Sequence, residues 1–149
     1  MRDSRLRAAS IRAMKPILLA ALAALALPAA ARAQPPGPEQ VVRAYTDAAN
    51  RHDLEAFLAL YDPQIRKYRF PGELASEGIE HAREVYTRSF AQKTDIKVEI
   101  VELLVLGDKV MAHDRVTGRP DGKVADEFTV YQVKDGRIVA IVYVDQVLS

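Results

Sequence analysis

Two neighbouring stretches of the sequence carry side chains that could transfer protons. His113 and Arg115 lie in one β-type run, and Asp126 lies in the next. An imidazole is a general acid or base near neutral pH, and a carboxyl group can donate or accept a proton. Whether the three groups meet depends on how the two runs pair in a sheet.

Residues 95–145 predict the four strands that would position these groups. The runs 96–106, 109–118, 123–134 and 137–144 are rich in β-branched and aromatic residues and are separated by Gly-containing turns. Pro120 to Gly122 and Asp135-Gly136 are strong turn signals between such runs. An antiparallel sheet of this size needs a second layer to cover one face.

The loop between the second and third runs sets their register, and two lengths are open. A four-residue loop places Arg115 opposite Asp126 and His113 opposite Phe128, so the four side chains share one face. A three-residue loop is also common and would instead pair His113 with Glu127. In the first register the guanidinium favours an ionised Asp126, whereas an isolated, dry Asp126 could stay protonated and donate a hydrogen bond.

The last turn extends the same face. A two-residue turn at Asp135-Gly136 places Tyr143 opposite Phe128 and Asp145 opposite Asp126. The predicted concave face therefore presents Met111, His113, Arg115, Asp126, Phe128, Tyr143 and Asp145, with Tyr45, Tyr68 and Phe70 across from it.

Three helices are predicted before the long strands. Residues 39–50 have one apolar face that includes Tyr45, residues 54–61 form a second helix capped by Asp53, and residues 78–92 form a third. A short strand over residues 64–70 separates the last two. The order predicts an α+β domain with helices on one face of a curved antiparallel sheet.

The first 33 residues have the pattern of a secretory signal peptide. A basic start precedes an apolar run over residues 17–27, and Ala31-Arg32-Ala33 provides small residues for cleavage before Gln34. Eleven apolar residues are too few to span a bilayer, which takes about 20. We therefore expect export to the periplasm or beyond, followed by a linker over residues 34–38 and a domain over residues 39–149. Either Met1 or Met14 could be the start.

Charge and composition exclude several classes of protein. The chain has 21 Lys and Arg against 20 Asp and Glu. The first 33 residues hold six of the basic and one of the acidic side chains, so residues 34–149 have 15 basic and 19 acidic side chains. Such an acidic domain is poorly suited to nucleic acid or anionic membranes. There is no Cys, and three scattered His lack zinc-ligand spacing. No metal or cofactor is predicted.

Several motifs resemble one known superfamily. They are Val41-Val42-Arg43-Ala44-Tyr45, Asn50-Arg51-His52-Asp53-Leu54, Leu60-Tyr61, Phe70-Pro71-Gly72, Gly78, Asp126-Glu127-Phe128 and Asp135-Gly136-Arg137-Ile138. With the order of elements, they resemble the nuclear transport factor two-like superfamily, and within it the SnoaL-like and ketosteroid isomerase-like proteins. The resemblance covers residues 39–144 and implies a cone-shaped, cystatin-like barrel with the helices on its concave face.

The resemblance also implies roles for individual residues. Ketosteroid isomerases hold the substrate oxygen with a Tyr and a protonated Asp and move the proton with a second Asp. Tyr45 and Asp126 match the first two positions. The base should stand immediately before Pro71, where this chain has Phe70. His113 would have to act in its place.

A second comparison within the superfamily is incomplete. Limonene-epoxide hydrolases match at Arg115, but their two acids fall on Thr117 and Tyr143.

Two functions of different class follow from these residues. One is an isomerase- or cyclase-type enzyme acting on a small apolar or ketone-like molecule. The other is a non-catalytic binding domain with the same pocket, suggested by Phe70. A homodimer is expected in either case, because residues 103–106 are apolar on both faces of their strand and relatives of this fold commonly pair through the outer face.

Overall fold

The computed structural model describes residues 34–92 and 94–149. The predicted signal peptide and Met14 lie outside these residues, so cleavage before Gln34 stays a prediction. Residues 34–37 have no regular secondary structure. The helices and strands are α1 Pro38–Asn50, α2 Leu54–Ala59, α3 Ile79–Ala91, β1 Tyr61–Arg69, β2 Glu73–Glu77, β3 Lys97–Leu106, β4 Lys109–Thr117, β5 Ala125–Lys134 and β6 Arg137–Leu148.

Local sequence signals account for the helix boundaries. Pro38 occupies the first turn of α1, where its missing N–H has no partner to lose. Asp53 caps α2 by accepting a hydrogen bond from the Ala56 N–H at 3.0 Å. Tyr61 was predicted on the second helix, and this is wrong, because α2 ends at Ala59 and Tyr61 begins β1. There Tyr61 pairs with Ile138 of β6.

One strand was missed by the sequence analysis. β2 pairs with β1 in antiparallel fashion and forms an edge of the sheet. Its sequence, Glu-Leu-Ala-Ser-Glu, has neither an alternating pattern nor a run of β-branched residues. Short, charged edge strands of this kind carry little sequence signal because they bury little surface.

The six strands form one curved, unclosed sheet, and the predicted α+β class is confirmed. The order is β2-β1-β6-β5-β4-β3. The sheet was expected to be antiparallel throughout, but β1 runs parallel to β6, so the sheet is mixed. The return of the chain through α3 allows this, because β1 and β6 are not joined by a hairpin.

The four-residue loop predicted between β4 and β5 is confirmed by their register. His113 pairs with Phe128 and Arg115 pairs with Asp126. Within the loop, the Gly122 N–H donates to the Arg119 carbonyl at 3.0 Å. The alternative pairing of His113 with Glu127 is therefore wrong.

The register between β5 and β6 differs from the prediction beyond the turn. Lys134 pairs with Arg137 as expected, but irregularities between Gln132 and Val133 and between Phe128 and Thr129 shift the later pairs. As a result, Phe128 pairs with Asp145, Thr129 with Tyr143, and Asp126 with Val147. Each bulge adds one residue to a strand, and no local pattern in the sequence marks its position.

The helices cover one face of the sheet, here called the covered face, and leave the other, the open face, uncovered. On β4 the covered face carries Val110, Ala112, Asp114 and Val116, which are all buried. Val110 and Ala112 belong to the core that also includes Val41 and Val42 of α1.

Several predicted pocket residues lie on the open face instead. For the residues on β4 and β5, the prediction that they share one face is confirmed by their register, but the helices cover the other face. The apolar alternation of β4 falls on the even-numbered residues, and it is this apolar set that packs against α1. The displaced residues are Met111, His113, Arg115, Asp126 and Phe128, together with Tyr68 on β1.

A glycine at the end of β4 allows a close approach of two chain segments. Gly118 has φ +69°, and a Cβ there would overlap the main-chain carbonyl of Asp95. Gly122 has a nearly equal φ of +71°, but a Cβ there would meet nothing within 4 Å. The two positions therefore separate backbone strain from steric overlap.

We expect Gly118→Ala to destabilise the domain more than Gly122→Ala. Holding an alanine at positive φ lowers the free energy of unfolding by about 1–2 kcal/mol at either position. The overlap of the new Cβ with the Asp95 carbonyl lowers it by about 1–3 kcal/mol more at Gly118 alone. Urea unfolding followed by circular dichroism measures both. Equal losses for the two variants would show that the segment at Asp95 moves aside freely.

Candidate active site

Two carboxyl groups lie side by side on the covered face. Asp114 of β4 pairs directly with Glu127 of β5. Asp114 is only 4% exposed, and its Oδ1 is buried without a hydrogen-bond partner among the described residues. Glu127 is half-buried and accepts a hydrogen bond from the Gln146 side-chain amide. A buried carboxyl oxygen without a partner is unfavourable for folding and is therefore a candidate functional group.

Its surroundings tune Asp114 for proton transfer. Burial, and secondly the charge of Glu127, raises the pKa of Asp114 to about 6, against a small opposing effect of His113. A carboxyl group with this pKa can both accept and return a proton near neutral pH. The arrangement has the features of an acid–base pair.

A cavity of about 200 Å³ lies between this pair and the helices. Its wall is mostly apolar and aromatic, with a small number of polar groups that point inwards, as is usual for sites that bind small molecules. The lining residues are Tyr45, Thr46, Ala49, Phe57, Tyr86, Val98, Asp114, Glu127, Thr129, Tyr131 and Tyr143.

Three buried tyrosines, of which Tyr45 and Tyr131 line this cavity, have neutral phenol groups. Burial, the largest cause, raises the pKa of Tyr45, Tyr61 and Tyr131 well above the usual value of 10. The hydroxyl groups of Tyr45 and Tyr61 are 2.9 Å apart and share a hydrogen bond. Such phenols can stabilise negative charge that develops on a substrate oxygen.

One tyrosine is perturbed in the opposite direction. The Lys67 Nζ donates to the Tyr86 hydroxyl at 2.9 Å and lies 4.4 Å from the centre of the Tyr86 ring. Burial opposes ionisation of Tyr86, but the charge and hydrogen bond of Lys67, together with hydrogen bonds to Tyr61 and Tyr45, outweigh it, so the pKa of Tyr86 falls below its usual value. Tyr86 belongs to the wall of the cavity, and Lys67 lies behind it.

A larger groove of about 490 Å³ adjoins the cavity at the end of the sheet. The cavity and the groove share Glu127, Thr129 and Tyr143. Burial raises the pKa of Tyr143, so its phenol is also neutral. Phe70, which is 65% exposed, lines this groove. The shared residues indicate a path from solvent to the carboxyl pair.

The structure divides the residues predicted as a site from the sequence into separate groups. Tyr45 and Tyr143 line the cavity. Phe70, Phe128, Tyr143 and Asp145 meet in the groove.

The predicted catalytic pair His113 and Asp126 lies on the open face. There the His113 Nε2 and the Arg115 guanidinium lie 3.1 Å and 3.2 Å from Asp126 Oδ1. Asp126 therefore acts as a hydrogen-bond acceptor, and it does not share a cavity with Tyr45. The predicted joint oxyanion site of Tyr45 and Asp126 is wrong in its geometry, because the sheet lies between the two side chains.

Sequence reasoning missed Asp114, Glu127 and Lys67. A usable signal was present for Asp114, because it is the single charged residue in the otherwise apolar series Val110, Ala112, Asp114, Val116. Glu127 then follows from the confirmed register. Lys67 had no such signal, since it stands in a run of basic residues that resembles a solvated edge.

The described residues contain no cluster suited to a metal ion. Across residues 34–92 and 94–149, no group of three or more His, Cys, Asp or Glu is placed to hold one. None of the helices in these ranges is long and apolar enough to cross a membrane.

Comparison with known families agrees with this architecture. The model of the SnoaL-like domain family matches residues 42–141, which include the three helices except the first turn of α1, the strands β1 to β5, and β6 as far as Ile141. The chain belongs to the SnoaL-like domain family. No curated protein matches its sequence significantly.

Solved structures support the same fold. A cystatin fold protein from Novosphingobium aromaticivorans is 20% identical, with a TM-score of 0.66 over 74% of this chain and 99% of that one. A proposed ketosteroid isomerase from Kribbella flavida is 20% identical, with a TM-score of 0.59 over 72% and 76%. An LEH-like epoxide hydrolase from Mycobacterium tuberculosis is 17% identical, with a TM-score of 0.61 over 72% and 80%. At these identities the likeness concerns the fold, which supports more than one chemistry.

We expect Asp114→Asn to stabilise the protein at neutral pH. The folded-state pKa of about 6 exceeds the usual 3.8, so folding favours the protonated acid. The stability that this provides is present below pH ~4 and is lost as the pH rises through about 6, for a total near 3 kcal/mol. Asn imitates the neutral acid. The free energy of unfolding of the variant should therefore exceed that of wild type by about 2–3 kcal/mol at pH 8 and by almost nothing at pH 4.

Urea titrations at pH 4, 6 and 8 measure this difference. Asp126→Asn is the matched control, because Asp126 lies on the open face and is hydrogen-bonded to Arg115. This variant should not be more stable than wild type at pH 8. A gain at Asp114 that does not vary with pH would contradict the assigned pKa.

Proposed function

We propose that this protein is an enzyme that moves a proton on a small, mostly apolar ketone-like molecule bound in the cavity of the covered face. The observation that carries the proposal is Asp114, a buried carboxyl group that lines a cavity walled by phenols and has one oxygen without a hydrogen-bond partner among the described residues. Two structures of similar fold, a proposed ketosteroid isomerase from Kribbella flavida and a proposed polyketide cyclase from Sinorhizobium meliloti, are consistent with such chemistry.

In the proposed reaction, Asp114 is the general base. Its carboxylate takes a proton from the carbon next to the carbonyl, the C–H bond breaks, and its electron pair moves to form an enolate. The negative charge develops on the oxygen, where phenol groups of the cavity donate hydrogen bonds. Asp114 then returns the proton to the same or a conjugated carbon, so the reaction consumes no second reactant.

The carboxyl pair supports this cycle electrostatically. The charge of Glu127 helps to raise the pKa of Asp114, which strengthens Asp114 as a base. Gln146 holds Glu127 through a hydrogen bond. In this proposal Glu127 is a positioning residue that acts through Asp114.

A second candidate function is non-catalytic binding of a small molecule in the same cavity. It is favoured by Phe70, which stands where related isomerases have their base and here lines the groove as an exposed apolar side chain. A binding protein would hold its ligand in the cavity without exchange of carbon-bound protons.

Deuterium exchange distinguishes the two functions. Wild-type protein in D₂O should incorporate deuterium next to the carbonyl of cyclohexanone or a β,γ-unsaturated cyclohexenone, and NMR measures the rate. The rate should rise with pH around an apparent pKa of about 6. Asp114→Asn should lower it by about 100-fold or more, since general bases contribute roughly 10²–10⁴-fold.

Asp126→Asn is the matched comparison, because it makes the same chemical change on the open face. The proposal expects it to keep the wild-type rate. If Asp126→Asn or His113→Ala abolishes exchange while Asp114→Asn does not, the site lies on the open face as the sequence first suggested. Ligand binding with no exchange by the wild-type protein would favour the non-catalytic function.

We propose further that two copies of the chain associate through the open face. Apolar side chains there are exposed to an unusual degree, with Leu104 at 59%, Phe128 at 45% and Met111 at 39%. A shallow hollow lined by these three with Glu102 and His113 offers a surface that can be buried. Contiguous exposed apolar surface of this kind is typical of association sites.

We therefore expect twice the monomer mass in light scattering at micromolar concentration. Phe128→Glu should shift the protein to the monomer, because a charge at the centre of an interface must be desolvated without a partner. Ala59→Glu, an exposed change on α2 in the helical layer, is the control and should leave the mass unchanged. Wild-type protein that is monomeric would refute the dimer.

A further inference from the structure

Lys67 is a buried cation that the proposed reaction does not use. It lies on β1, on the covered face, and is only 6% exposed. Among the described residues, no carboxylate lies within 4.0 Å of its Nζ. The ammonium group donates to the Tyr86 hydroxyl at 2.9 Å and lies 4.8 Å from the centre of the Tyr61 ring.

These contacts satisfy the ammonium group only in part. Lys has three N–H donors, and the hydrogen bond to Tyr86 uses one of them. The two aromatic faces offer cation–π attraction, which is weaker than pairing with a buried carboxylate. An anion of a bound molecule would supply the missing partner.

The space next to Lys67 has the charge that an anion needs. A cavity of about 180 Å³ is lined by Lys67, Arg69, Ser76, His81 and Tyr86, and no Asp or Glu is among its lining residues. The Arg69 guanidinium lies 3.9 Å from the exposed Glu73 carboxylate, and Arg69 lines both this cavity and the larger groove beside it. Cationic groups, a hydroxyl and an imidazole therefore converge there.

This cavity also continues the proposed active site. It shares Tyr86 and Tyr143 with the cavity that contains Asp114. A molecule with its apolar body against the phenols would have one end near the carboxyl pair and the other near Lys67. Opposite charges at the two ends of the site would orient such a molecule, because the carboxyl pair repels the end that Lys67 attracts.

We propose that Lys67 binds the carboxylate of an apolar carboxylic acid, and that Arg69 attracts this anion from the entrance. The inference rests on the proposed function only in assuming that a small molecule occupies the covered face. It narrows the substrate class from apolar ketones to apolar molecules that carry a carboxylate at the end remote from the reacting carbon.

Two probes of equal shape test the inference. Binding of 2-naphthoate and of the neutral 2-naphthamide is measured by calorimetry on the same protein preparations. Wild type should prefer the carboxylate by at least about tenfold, because the anion gains a charge-assisted hydrogen bond from the Lys67 ammonium group. Lys67→Met should abolish that preference.

Two variants serve as controls. Lys134→Met makes the same change at the exposed end of β5 and should keep the preference. Asp114→Asn should also keep it, even where proton exchange is lost, so that a failure of the proposed reaction is distinguished from a failure of the anion site. A melting temperature of Lys67→Met that equals or exceeds the wild-type value would show that Lys67 does not stabilise the fold, in support of a role in binding.

The inference is wrong if wild type binds both probes equally, or if Lys67→Met keeps the preference for naphthoate. If Lys67→Met does not fold, chemical shift mapping on wild type decides the matter. Naphthoate should then shift the backbone amide signals of Lys67 and Tyr86, and naphthamide should shift them less. Equal shifts with both probes would overturn the assignment.

Discussion

The packing of Phe57 holds the covered face of this protein together. Its ring, only 1% exposed, lies 4.4 Å from the ring of Tyr45, 4.5 Å from that of Tyr86 and 5.3 Å from that of Tyr61, measured between ring centres. One side chain from the short helix α2 thus joins α1, α3 and β1. Because three of its neighbours carry hydroxyl groups, this apolar contact also decides where the polar groups of the cavity lie.

The same packing explains how charged side chains can stay under the helices. Asp114 and Lys67 are both buried without an opposite charge to pair with among the described residues, and each arrangement reduces stability. Burying a single large apolar side chain contributes about 1.5–3 kcal/mol, so a core that includes Phe57, Leu58 and Ile65 can tolerate such groups. Of these two residues, Asp114 carries the proposed proton transfer and Lys67 the proposed binding of an anion.

The two faces of the sheet have different properties because successive residues of each strand point to opposite faces. On β4 and β5 the residues beneath the helices are apolar apart from the Asp114–Glu127 pair and Thr129. The alternate residues build an exposed surface in which apolar groups surround the His113–Asp126–Arg115 cluster. The proposed chemistry on the first face and the proposed association on the second are separate consequences of that division, and a shift of the register by one residue would exchange the two sets of side chains.

The sequence by itself determined the helices, the four long strands and the α+β class, since caps, turns and periodicity are local signals. It limited the register of the β4–β5 hairpin to two alternatives, between which the structure decided. Only the tertiary structure decided which face the helices cover, where β1 lies beside β6 and how the bulges displace Tyr143 from Phe128. Those features depend on contacts between segments far apart in the chain. The candidate site depends on these contacts as well. Only when the covered face is known can a site be recognised in Asp114, Glu127 and Lys67.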